Sequence, residues 1–344
     1  MFRPLLPAFA AILAVAGACN AGEADARISS QSHKNPIPPR HQWEANGGYC
    51  GETSLISAGL YYGQYMSQYD ARTCAIGKTP QNKAELLLGD NDQRAARNMH
   101  LKSEEWNRFK QASTAQFLLW IKRHVLYGYP VIIGVYDNGD LLGTPGVTDP
   151  QYDHIVPVVR IRSHHPLSGR RIYGNDHITF SDNGLFGTPQ DRPYLYTYSF
   201  AGFPASRQRV EGNNGPLYGL PDYGRNFGIV ITGVMDADGD TLPVRVATNK
   251  NDEVPVMKRR SAIRPAPMPL TLTITVSKLT PGVDYKLYRY DRLAAVPDTH
   301  FNAHAADAAE SWNIRVSAGT TFVLKQDIMS DDIAVYRAVK ASAP

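Results

Sequence analysis

The segment GYPVIIGVY (residues 128–136) constrains the fold more than any other part of the chain. Its VIIGVY run is apolar and β-branched without alternation, so it reads as a strand buried inside a sheet. Immediately before it, Ser113 or Thr114 caps AQFLLWIKRHVLYG, a helix that Gly128 and Pro130 terminate. Immediately after it, Asp137, Asn138, Gly139 and Asp140 turn the chain. HIVPVVRI (154–161) reads as the next strand, IYGNDHITFSDNG (172–184) as a strand pair ending in a turn, and NFGIVITGV (226–234) as a further strand. Upstream, CGETSLISAGLYYGQYMSQY (50–69) reads as a helix with Leu55, Gly59, Tyr62, Met66 and Tyr69 on one buried stripe. Helices first and a run of antiparallel strands afterwards indicate an α+β domain over residues 41–235. Residues 70–112 are polar and read as an insertion with short helices. The Tyr-, Gly- and Pro-rich stretch 185–225 has no period and suits a lid or binding loop.

After Met235 the pattern changes. LTLTITVSKL (270–279), a Thr280-Pro281-Gly282 turn, VDYKLYRYD (283–291), WNIRVSAGTTFVLKQ (312–326) and DIAVYRAV (332–339) alternate like spaced strands. They read as a β-sandwich over residues 241–344, and residues 279–291 resemble a fibronectin type III strand pair. Two domains suit a chain of 344 residues. At the N-terminus, Arg3 precedes an apolar stretch from Leu5 to Val15 and then Ala16, Gly17 and Ala18, the anatomy of a secretory signal over residues 1–21. Cleavage reads equally after Ala18 or Ala21, and Cys19 resembles the lipidated cysteine of a bacterial lipobox. Residues 22–40, with Pro36, Pro38 and Pro39, read as a linker. An exported protein, secreted or periplasmic and free or lipid-anchored, is expected. The formal net charge of +4, without a basic run, gives no reason to expect a nucleic-acid partner.

Chemistry concentrates around Cys50. A helix N-terminus favours the thiolate form of a cysteine, and the Cys50 amide there can donate to an oxyanion. Gly47, Gly48 and Gly51 flank it and would let a carbonyl substrate approach the backbone. A nucleophilic thiol needs a base, and His154 opens a strand after a turn. The imidazole needs an acceptor to orient it; Asp182, at the end of HITFSD, is the first candidate and Asn183 the alternative.

In this order Cys50 at a helix start, the strand GYPVIIGV, His154 at the start of HIVPVV and Asp182 in FSD resemble papain-fold cysteine peptidases, and specifically the C39-like group. The resemblance covers residues 41 to about 185–235. It implies a papain-like domain in which Cys50 is the nucleophile, His154 the base and acid, and Asp182 or Asn183 the orienting group, acting on peptide or other amide bonds with no cofactor. It also implies a glutamine six residues before the cysteine, donating to the oxyanion. Here Glu44 holds that position, so Gln42 becomes the expected donor and Asn46 its alternative.

Two other functions remain open on sequence. An amine rather than water could resolve the acyl-enzyme, making a transferase, or Cys50 and Cys74 could form a disulfide in a non-enzymatic binding module. Histidines and cysteines lack paired metal-ligand spacing. Asp236, Asp238 and Asp240 suggest calcium but lack the rest of an EF-hand loop, so a turn is expected there.

Overall fold

In the computed structural model, which describes residues 30–44, 48–77, 86–107, 113–138, 152–184, 194–206, 216–222, 224–250 and 265–341, apolar periodicity becomes layered antiparallel sheet. The chain runs β1 (Gln31–Lys34), α1 (Cys50–Tyr61), β2 (Gln64–Tyr65), α2 (Gln68–Ile76), α3 (Asp92–Asn98), β3 (Leu101–Glu105), α4 (Thr114–Leu126), β4 (Val131–Asp137), β5 (His154–Ser163), β6 (His177–Ser181), β7 (Leu195–Ser199), β8 (Tyr218–Gly219) and β9 (Gly228–Val234). It continues through β10 (Thr241–Leu242), β11 (Val244–Thr248), β12 (Pro269–Ser277), β13 (Tyr285–Tyr290), β14 (Glu310–Ile314), β15 (Thr321–Met329) and β16 (Ala334–Lys340). The architecture is α+β: four helices and sixteen strands among the described residues.

β4, apolar at every position but its last, is buried at every residue and sits centrally in the sheet β3-β9-β4-β5-β6-β7. β1 pairs with β5, and β8 with β4. α4 begins at Ser113, whose side chain caps the Gln116 amide. Its apolar stripe, Phe117, Ile121 and Val125, packs with Val131, Ile133, Val156 and Val158 of the sheet. α1 has no such stripe. Residues 51–60 are all buried, because α1 lies against β5 and α2 while β11 approaches it as well.

Several sequence expectations change. The helix expected over 50–69 stops at Tyr61, and Ser67 caps a second helix. Gly63 makes the break: its φ is +78°, and a Cβ there would stand 2.8 Å from Val244 Cβ. Residues 31–40 are not linker, since β1 joins the sheet through Gln31 opposite Ser163, and Ile37 and Arg40 are buried. IYGNDHITFSDNG contains one strand rather than two, and the polar 70–112 stretch contains β3 on the edge of the sheet.

After residue 240 two further sheets form, β10-β16-β13-β14 and β11-β12-β15. β2 from the N-terminal half pairs with β16, Tyr65 opposite Ala334. Leu55, Ile56 and Leu60 of α1 share one apolar interior with Val246, Leu272, Ile274, Leu287 and Ala338. The expected boundary at 235–241 is therefore a change of pattern and not a break in packing. Residues 1–29, with the expected signal and Cys19, lie outside the described residues, as does Asn46. No described helix is long and apolar enough to cross a membrane.

Candidate functional site

Cys50 is the first residue of α1, half-buried and free. The chain enters the helix through Gly48 at φ +85° and Tyr49, which offers no side-chain cap, so the first-turn amides are not covered by a capping side chain. Arg72 of α2 holds this entry. Its guanidinium lies 3.4 Å from the centre of the Tyr49 ring, donates to the Gly48 carbonyl, and pairs with Glu52 Oε1 at 2.6 Å. Glu52 also accepts from the Leu86 amide at 3.0 Å. Burial pushes its carboxyl up to about 7, against the pull of Arg72 and that amide. Gly51 is not there to admit substrate: a Cβ would collide with the Leu86 carbonyl and crowd Ile155.

His154 opens β5 and Asp182 follows β6, neighbouring antiparallel strands, so both side chains arrive at one end of the sheet. His154 Nε2 and Asp182 Oδ1 are 2.8 Å apart, with both residues only 1% exposed. Cys50 is the other hydrogen-bond partner of the His154 ring. With Nε2 taken by Asp182, Nδ1 is the ring nitrogen left for the thiol. Burial alone would lower the basicity of His154, but Asp182 and Cys50 outweigh it and push the imidazolium up to about 10. For Asp182, burial acts to raise the carboxyl. His154, the Tyr218 hydroxyl on Oδ2 at 2.7 Å and the Gly184 amide on Oδ1 at 3.0 Å together hold it below the usual carboxylate value. The Tyr218 ring also stacks beside His154, centroids 5.8 Å apart.

Gln42 and Glu44 separate cleanly. Glu44, at the position where the resembled family carries glutamine, accepts from Arg40 at 3.0 Å and from the Gln68 amide at 2.6 Å, committed to a buried pair. The Gln42 amide donates to the Asn183 carbonyl at 2.8 Å, and its Nε2 donates to Asn183 Oδ1 at 3.1 Å. A Cβ on Gly184 would land on Gln42 Nε2 and lie 3.3 Å from His154 Cε1, so Gln42 stands beside the imidazole. One Nε2 hydrogen remains beyond the bond to Asn183. Asn183 itself does not face His154. Its Nδ2 lies 3.0 Å from the Cys50 carbonyl, 2.8 Å from Ser54 Oγ and 3.1 Å from the Ile155 carbonyl, tying α1 to β5.

No protein-family model, curated protein or solved structure matches this chain. The site therefore stands on its geometry. The arrangement supplies a thiol, a base hydrogen-bonded to it, a buried carboxylate behind the base, and amide donors from a helix start and from Gln42. That set suits acyl transfer through sulfur. The Cys50–Cys74 disulfide is absent: both thiols are free, and Cys74 is buried on α2 with its thiol pushed up to about 12 by burial. The acidic triplet forms a turn, Asp236 accepting from the Gly239 and Thr241 amides. No group of three or more metal-ligating side chains occurs among the described residues. Sequence reading missed Tyr218 and Arg72. Nothing local distinguishes Tyr218 among 19 tyrosines, and Arg72 sits in a polar stretch without a motif.

Proposed function

We propose that this protein is an exported cysteine hydrolase of peptide or other amide bonds, built as a papain-like catalytic half braced by a β-sandwich. The observation that carries the reading is the His154 ring, hydrogen-bonded to Cys50 on one side and to Asp182 on the other. His154 takes the thiol proton, and Cys50 sulfur bonds to the substrate carbonyl carbon. The resulting oxyanion sits toward the Cys50 amide and the spare hydrogen of Gln42 Nε2. His154 then returns the proton to the leaving nitrogen, the C–N bond breaks, and a thioester remains. Water, deprotonated by His154, attacks the thioester and releases a carboxylic acid with the thiol restored. Asp182 keeps the imidazole oriented and offsets its charge throughout. The N-terminal signal pattern and the C39-like order of motifs support export and the peptide substrate class.

Brief iodoacetamide treatment at about pH 6, where an ordinary thiol is almost wholly protonated, tests the site by peptide mapping. Fast labelling confined to Cys50, lost in His154→Ala, supports the reading. Equal slow labelling of Cys50 in both proteins rejects it. Release of carboxylic acid from a mixed peptide library in water, against adducts when amines are added, separates hydrolase from transferase.

A further inference from the structure

α1 has twelve residues, and at the rise of an α-helix its two ends lie about 16 Å apart. Cys50 occupies one end. At the other, where the last turn of α1 meets the C-terminal sheets, lies a cavity of about 410 Å³, within the range of small-molecule sites. It is lined by the rings of Tyr61, Tyr127 and Tyr129 and by Arg245, Lys278 and Arg337, with no Asp or Glu among its lining residues.

Among the described residues none of the three cations forms a direct ion pair, although Asp298 and Asp236 act on Arg337 from farther away. The Arg245 guanidinium lies 4.3 Å from the centre of the Tyr61 ring, an arrangement that leaves its N–H edge for another partner. Lys278 sits at φ +62°, a backbone conformation unfavourable for lysine, at the turn after β12. Arg337 is fully buried, yet its acceptors are all neutral: the Tyr62 and Tyr336 carbonyls and Gln64 Oε1. Its Nε has no acceptor among the described residues. A lining with three cations and no carboxylate favours a negative occupant. The tyrosines add flat apolar faces. Tyr127 is 66% exposed at the mouth, its ring edge-on to Tyr129 at 6.2 Å.

We propose that this cavity is a second binding site, separate from Cys50, for a small organic oxyanion carried on a ring. The carboxylate or phosphate pairs with the Arg245 and Lys278 side chains, and the ring packs on the tyrosines. Gly233 offers a clean way to close it: it lines the cavity, and a Cβ there meets nothing within 4 Å.

The test is calorimetric titration of the purified protein with phenyl phosphate and with benzoate. At least one binds saturably with a Kd below about 1 mM. Tighter binding of phenyl phosphate points to a phosphate ligand, and tighter binding of benzoate to a carboxylate. Inorganic phosphate and benzyl alcohol, each lacking half of the recognised group, bind at least about tenfold more weakly, a difference of about 1.4 kcal/mol. The double variant Arg245→Gln, Lys278→Gln weakens binding at least tenfold. Gly233→Phe, which fills the cavity and removes no charge, does the same with an unchanged thermal transition, while Cys50→Ala binds like the unaltered protein. The proposal fails if neither probe saturates in the millimolar range, if inorganic phosphate matches phenyl phosphate, or if both the charge and the plug variants bind normally. Loss of binding in Cys50→Ala would place the probes at the thiol instead and also overturn it.

Discussion

Between residues 40 and 182 the interior holds Arg40, Glu44, Glu52, Arg72, Lys122, His154, Asp176 and Asp182, whereas after residue 240 the only buried polar side chains among the described residues are Ser330 and Arg337. The C-terminal sheets are instead filled by alternation: Leu270, Leu272, Ile274 and Val276 point inward along β12 with Thr271, Thr273 and Thr275 between them. Burying charge opposes folding unless the charge is paired or the group goes neutral, as burial favours for Asp92, whose carboxyl is pushed up to about 7. The N-terminal half pairs its charges in four places: Arg40 with Glu44, Arg72 with Glu52, Lys122 with Asp176, and His154 with Asp182. Three of these join a permanent cation to a carboxylate and can be read as structural. Only the fourth contains an imidazole, which can both take and return a proton, and only there does a thiol complete the set. The contrast places the proposed chemistry in one half and continuous apolar packing in the other.

The strongest test of that assignment is Asp182→Asn. It keeps the shape of the side chain but loses the carboxylate behind His154: kcat for amide hydrolysis should fall by about 10⁴-fold in the folded protein, and breaking the buried pair should also cost about 3–5 kcal/mol of stability. Its counterpart is Ile274→Ala in the C-terminal sheets. A cavity there should cost about 2–5 kcal/mol in denaturant unfolding. The Cys50 alkylation rate at about pH 6 should not change while the protein remains folded. A slowed alkylation rate in that variant would show that the two halves are chemically coupled as well as packed together.

Gly184→Ala probes the boundary between the two kinds of effect. The added methyl would displace Gln42 from beside His154, and such overpacking costs roughly 1–3 kcal/mol. Both unfolding midpoint and turnover should fall, whereas a purely structural glycine would lower only the first. Tyr218→Phe is milder. It removes one of three donors to Asp182, so kcat should drop about tenfold, the cost of losing one hydrogen bond to a charged group. The acid limb of the pH–rate profile should move upward, because Tyr218 helps to hold Asp182 low.

The last effect is in stability against pH. The folded-state value of His154 is raised above its unfolded one, so its interaction with Asp182 and Cys50 stabilises the fold fully below about pH 6.5 and is lost as pH rises toward about 10. Asp182 runs the other way, its contribution present above its unfolded value of about 4 and lost as pH falls below it. The difference in melting temperature between the unaltered protein and His154→Ala should therefore shrink on raising the pH from 6 to 10. A difference that does not vary over that interval would mean that His154 is not linked to the thiol and carboxylate.

Much of the layout was legible because it rests on short-range rules. Ser113 before a 3.6-residue stripe places the start of α4, and the unbroken apolar run of β4 marks a central strand. Alternation along β12 separates an inner from an outer face. Cys50, His154 and Asp182 were readable because each lies at the end of a regular element, where the chemistry of the residue and its position in the pattern coincide. Gln42 was harder, since its separation from Glu44 depends on where an irregular segment bends.

What only tertiary structure decided are contacts between residues far apart in sequence. Tyr218 reaches Asp182 across 36 residues, Arg72 grips the turn before Cys50 from another helix, and β2 pairs with β16 across almost the whole chain. A helix stripe or strand alternation is set by the backbone period and is written in neighbouring residues. A hydrogen bond to a buried carboxylate depends on which loop the folded sheets bring past it, and no local spacing records that.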